Sequence, residues 1–120
     1  MIGAMLNFIK RFNDKMISLN QKSKFDKCGK NVYVGHNCHF NCKSISVGNN
    51  VSIGQNCVFI SAHGGIIIGD NVMFGPGVNI HGGDHIYNVV GKYMNENVKT
   101  NSDGSVVIKD DVWIGANAII

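Results

Sequence analysis

Residues 66–80 read IIIGDNVMFGPGVNI, and their spacing decides the fold. Ile68, Phe74 and Ile80 recur every six residues; Gly69 and Gly75 follow the first two, then Asn71 and Gly77 two places on, then Val72 and Val78. Toward the N-terminus the same beat runs back through Phe59, Ile53, Val47, Phe40, Val34 and Cys28, and toward the C-terminus it resumes at Ile108, Ile114 and Ile120. Its first position is Val, Ile or Phe in eleven of twelve hexads, Cys28 being the exception. A period this short, repeated this often, describes stacked coils of parallel strand, an all-β solenoid and not an ordinary globular core. Positions one and five, apolar or small, are expected to face inward. Position two is commonly Gly and position four Asn, Asp or Gly, which tolerate the left-handed backbone of a tight corner.

The hexads that break the pattern are equally informative. Those starting at Phe40, Phe59 and Ile80 lack the position-two glycine, and the next beat follows after 7, 9 and 28 residues instead of 6. They are every third hexad. One coil is then three hexads, triangular in section; the twelve hexads make about four coils, with the irregular corners stacked on one edge. Phe40, Phe59 and Ile80 must therefore lie above one another. The edge with the insertions is the place to expect a site, because loops on a rigid scaffold carry function. The longest excursion, about residues 81–107, has a length that is usually functional or disordered. It opens with His81 and His85 among glycines and continues through Tyr87, Lys92, Tyr93 and Met94.

The chain's 120 residues, 44% hydrophobic and 16% charged, suit one folded domain. No run of 18 apolar residues is present to span a membrane, and the opening segment has no small-residue cleavage pattern of a secretory signal. Of the four cysteines, Cys28, Cys38 and Cys57 fall on inward beats, while Cys42 completes a CxxxC that lacks a matching second pair. Reduced core thiols in a cytoplasmic protein are the expectation. Net charge is +3, but residues 1–30 alone carry seven Lys/Arg against Asp14 and Asp26. Residues 1–27 form a separate segment in which Ile2, Met5, Leu6, Ile9, Phe12, Met16 and Ile17 recur at helical spacing. That predicts an amphipathic helix, or two short ones, ahead of a β-helix domain at 28–120. It reads as a cap over the open first coil, with a basic helix resting on an anionic membrane surface as the alternative. Without interleaved aromatics the basic segment does not argue for nucleic acid.

The stretches IIIGDNVMFGP, GDHIYNVVGKYM and VVIKDDVWIGANAII together resemble the left-handed β-helix hexapeptide acetyltransferases, most nearly the sugar O-acetyltransferases of the maltose, galactoside and surface-polysaccharide type. The likeness covers about residues 28–120. It implies a left-handed coil, where the general rule for parallel crossovers would give a right-handed one. It also implies a homotrimer with active sites between neighbouring subunits, acetyl-CoA as co-substrate, and a hydroxyl of a sugar or polysaccharide precursor as acceptor. Family members run on for several coils beyond the VWIGAN stretch, so a chain stopping at Ile120 on the first beat of a hexad reads as C-terminally truncated.

By this resemblance His85 is the general base. A sugar hydroxyl is too weak an acid to ionise near neutral pH, whereas an imidazole can hold its proton in transit. Asp84 beside it, Tyr93 and Met94 in the loop, and His63 on the same edge are candidates for the acceptor pocket. The resemblance gives the Gly115–Ala116 corner the backbone N–H groups that meet the thioester oxyanion and sets Trp113, outward by alternation, beside the thiol end of CoA. His81 is a pocket or corner residue; His36 and His39 belong to another corner. Two alternatives stand beside acetyl transfer. One is a truncated, noncatalytic β-helix remnant. The other is a zinc enzyme of the β-helical carbonic anhydrase kind with His63, His81 and His85 as ligands.

Overall fold

Each hexad but the last becomes one short strand and one corner. The structure, a computed structural model, describes residues 1–98 and 103–120; residues 99–102 and the Cys42 side chain lie outside the described residues. A first circuit comprises β1 (Lys27–Cys28), β2 (Val32–Val34) and β3 (His39–Phe40). A second comprises β4 (Ile45–Val47), β5 (Val51–Ile53) and β6 (Val58–Ser61), and a third β7 (Ile66–Ile68), β8 (Met73–Phe74) and β9 (Asn79–Gly82). β10 (Val106–Ile108) and β11 (Trp113–Ile114) follow the long loop, and an isolated parallel bridge from Asn79 to Ile119 continues that last circuit.

Strands three apart in sequence pair in parallel, giving three sheets of order β1-β4-β7-β10, β2-β5-β8-β11 and β3-β6-β9. The chain thus visits the sheets in rotation, an arrangement consistent with a parallel β-helix. Phe40 is in register with Phe59, and Phe59 with Ile80, as the every-third-hexad pattern requires. Along the strands burial alternates, so Val51 and Ile53 are buried while Ser52 between them is exposed. The interior holds the expected positions: Val34, Ile53, Phe59, Val72, Val78 and Ile80 are all buried.

Phe25, which the hexad pattern does not reach, is buried too. It heads a row of tilted aromatic contacts, Phe25–Phe40–Phe59–Phe74, with ring centroids 5.4, 5.0 and 5.0 Å apart. Such pairs contribute about 0.5–1.5 kcal/mol each beyond their buried area.

The corners divide into two kinds. At the first two, position four adopts the left-handed backbone in every case: Asn31, Asn50, Asn71 and Asp111 on one edge, Asn37, Asn56, Gly77 and Asn117 on the other, with φ between 56° and 71°. The asparagines also stack into ladders, with Asn31 Nδ2 donating to Asn50 Oδ1 at 3.0 Å and Asn37 Nδ2 to Asn56 Oδ1 at 2.8 Å. The position-two glycines have a different cause from the one expected. None has positive φ; instead, at all but Gly115, the next circuit passes too close for a side chain. A Cβ on Gly54 would stand 2.7 Å from the Pro76 nitrogen, and one on Gly35 2.6 Å from the Gln55 nitrogen.

The cysteines correct the sequence reading in part. Cys57 is buried and Cys38 half-buried, both as free thiols. The Cys38 thiol is pushed up by its contact with the Cys57 sulfur and by burial. Cys28 keeps its inward register opposite Val47, yet it is exposed, because β1 is an outermost strand of its sheet. Its partial desolvation raises its pKa, with Lys22 pulling the other way.

Residues 2–23 form one helix, α1 (Ile2–Ser23). It does not cap the first circuit with its apolar face. Ser18 is its buried residue, Gln21 Nε2 donates to Cys38 O at 3.0 Å, and Lys22 Nζ donates to Val32 O at 2.9 Å. The polar side therefore docks, and Phe25 supplies the apolar cover. Among the described residues no helix is long and apolar enough to cross a membrane.

Candidate active site at the irregular edge

The third edge is built by three unlike excursions. Between β3 and β4 the chain makes a short 3-10 turn, Cys42–Ser44, and Asn41 anchors it to the circuit below. The Asn41 amide grips the Ser61 backbone both ways, Nδ2 donating to Ser61 O and Oδ1 accepting from Ser61 N. Between β6 and β7 the chain passes through Gly65, with φ +77°. Between β9 and β10 it leaves for residues 83–105. Inside that loop a 3-10 turn, Met94–Glu96, is closed by Tyr93 N donating to Glu96 Oε2 at 3.0 Å, and Asn97 Nδ2 reaches Ile86 O at 3.3 Å.

β9 is held firmly where this loop departs. Ile60 of β6 pairs with His81 on one side, and on the other the His81 N–H donates to Ile120 O at 2.9 Å. His81, Gly82, Gly83, Asp84 and His85 then line a cleft of about 310 Å³, with Ile60 and Ala62 as its floor. Both histidines are exposed. The site therefore combines a rigid strand end with two accessible imidazoles and a carboxylate four or fewer residues apart.

Other expected site residues lie elsewhere. His63 is exposed on the same edge but does not line the cleft. Tyr93 lines a separate hollow of about 370 Å³ with Gly91, Lys92 and Glu96, and Met94 is exposed beside it. Trp113 projects outward from β11, opposite Met73, and is 78% exposed. Gly115 and Ala116 are exposed at a regular corner, away from the cleft of the same chain. Among the described residues no three His, Cys, Asp or Glu side chains gather closely enough to hold a metal ion. The His63–His81–His85 cluster weighed from sequence does not form within one chain. A larger hollow, about 470 Å³, sits between α1 and β2, remote from every histidine of the third edge.

Residues that border the cleft include several the sequence does not single out. Asp103, on the loop's returning limb, brings its carboxylate against Gly83, where a Cβ would stand 2.5 Å from Oδ2. Gly104 packs on Gly64, and Ser105 Oγ donates to Gly64 O. The Asp103–Gly104 pair is a turn dipeptide, the one signal that could have marked this limb as pinned to the edge. Ser61, the last residue of β6, is buried beside Gly82, and its hydroxyl has no hydrogen-bond partner among the described residues.

Comparison of the chain with family models, with curated proteins and with solved structures finds no match.

Proposed function

We propose that this chain is a left-handed parallel β-helix acetyltransferase that moves an acetyl group from acetyl-CoA to a hydroxyl of a sugar or glycan precursor. The observation that carries the proposal is the cleft at the stacked irregular corners, where His81, Asp84 and His85 meet at the base of the long loop. His85 takes the acceptor's proton from oxygen as that oxygen attacks the thioester carbonyl. The new C–O bond forms, the carbonyl oxygen carries the negative charge, and backbone N–H groups meet it. The C–S bond then breaks, and the imidazolium returns its proton to the departing CoA sulfur.

Trp113, Gly115 and Ala116 are exposed and do not line the cleft of their own chain. This favours a trimer in which the base of one subunit faces the acyl-holding corner of the next. Tyr93 and Met94 belong to the acceptor side. The test is release of free CoA thiol with a panel of sugars, in parallel with a His85→Ala variant. Activity should fall about 10²–10⁴-fold in the variant, the usual contribution of a positioned base. An active parent with an equally active variant rejects His85 as the base. A parent that neither binds nor turns over acetyl-CoA supports the noncatalytic remnant instead.

A further inference from the structure

The amphipathic helix α1 is mounted with its polar side inward. Ser18, Gln21 and Lys22 meet the β-body, while the apolar residues along its length face solvent. Met5, Leu6, Phe8, Ile9, Phe12 and Met16 are all at least 50% exposed. At about 100° per residue, the apolar sector covers roughly half the circumference. Lys10 and Lys15 fall at its two borders, and the helix's one acidic residue, Asp14, lies in the middle of the polar side.

We propose that α1 docks on an anionic lipid bilayer, lying in the interfacial plane with its apolar side down and the β-body carried above it. Three features select this occupant. The sector is broader than a coiled-coil seam and includes two phenylalanines, Phe8 and Phe12, side chains suited to the acyl boundary. Border lysines lay their methylene stems on apolar surface and lift their ammonium groups to the headgroups. Charge complements an anionic surface, since Lys10 and Lys15 stand at the borders of the sector while Asp14, the one acidic residue of the helix, lies on the polar side toward the β-body, and a second copy would bring the same cations to the same borders. The residues that meet the β-body, Ser18, Gln21 and Lys22, lie on the polar side of the helix, and only one border, Lys15 and Leu19, faces the hollow beside β2. This inference is independent of the acetyl-transfer proposal.

The experiment is sedimentation of the full chain with vesicles of phosphatidylcholine alone and of phosphatidylcholine mixed with phosphatidylglycerol. Binding to the mixed vesicles, weakened by salt and absent with phosphatidylcholine alone, is the expected result. Lys10→Gln with Lys15→Gln should weaken it about 30-fold, and Phe8→Glu with Phe12→Glu should abolish it. All four residues are exposed, so thermal unfolding of the β-body serves as the control for folding. No binding to the mixed vesicles overturns the proposal. So does lipid-free self-association, seen by analytical ultracentrifugation, that Phe12→Glu abolishes, because the sector would then be an interface between copies.

Discussion

The two regular edges and the irregular one turn the chain through the same circuit by different physics. At the regular edges one device recurs in each circuit: a residue in the left-handed region at position four, a glycine at position two, and an amide ladder to the next circuit. At the irregular edge each circuit turns by its own contacts, Asn41 on Ser61 in one and Ser105 on Gly64 in another. At the regular edges the next circuit lies directly on most of the position-two glycines. The irregular edge leaves a cleft and places two imidazoles in it. Stability and a candidate site thus occupy different edges of one repeat.

That contrast can be broken by substitution, with the largest effects expected at the regular edges. Gly54→Ala forces a methyl group against the Pro76 and Gly75 backbone, which cannot rotate away; a loss of about 3 kcal/mol is expected by chemical denaturation. Asn56→Ala keeps a β-carbon at φ 58° without the short polar side chain that tolerates this backbone, and removes the acceptor of Asn37. The left-handed strain of about 1–2 kcal/mol and about 1 kcal/mol for the hydrogen bond add to a loss near 2–3 kcal/mol. Asn56→Gly keeps the conformation and should recover most of the strain. If Asn56→Gly is no better than Asn56→Ala, the left-handed backbone is not what selects the residue.

At the irregular edge the same kind of change should act on the loop and spare the body. Gly64→Ala meets the carbonyls of Gly104 and Asp103, but that limb can swing out. The expected loss of global stability is under about 1 kcal/mol, while limited proteolysis within residues 83–105 becomes faster. An equal loss at Gly64 and Gly54 would dissolve the distinction between the edges. The smallest effect is Ser61→Ala. Removing a buried hydroxyl without a partner among the described residues should leave stability unchanged or raise it by up to about 1 kcal/mol.

Much of the fold was legible because a six-residue period is a physical ruler. Once Phe40, Phe59 and Ile80 were seen to break it at every third beat, their pairing in register followed. The left-handed residues at position four were legible for the same reason, since few side chains tolerate that backbone. Position two was identified correctly but for the wrong cause: a glycine under a close backbone and a glycine at positive φ look alike in sequence. Cys28 shows a further limit. Its beat gave the direction of its side chain, but exposure depends on whether another strand lies beyond it.

The sequence by itself determined the repeat, the inward positions and the edge on which the irregular loops accumulate, because these follow from local periodicity and backbone sterics. Only the tertiary structure decided that His81, Asp84 and His85 share a cleft that His63 does not line, that Asp103 returns to it, and that α1 shows its apolar side to solvent. Those are relations between segments whose separation in sequence has no fixed period. A loop's path and a helix's rotation are set by whichever long-range contacts win, here Ser105 on Gly64 and the polar residues Gln21 and Lys22 on β-body carbonyls.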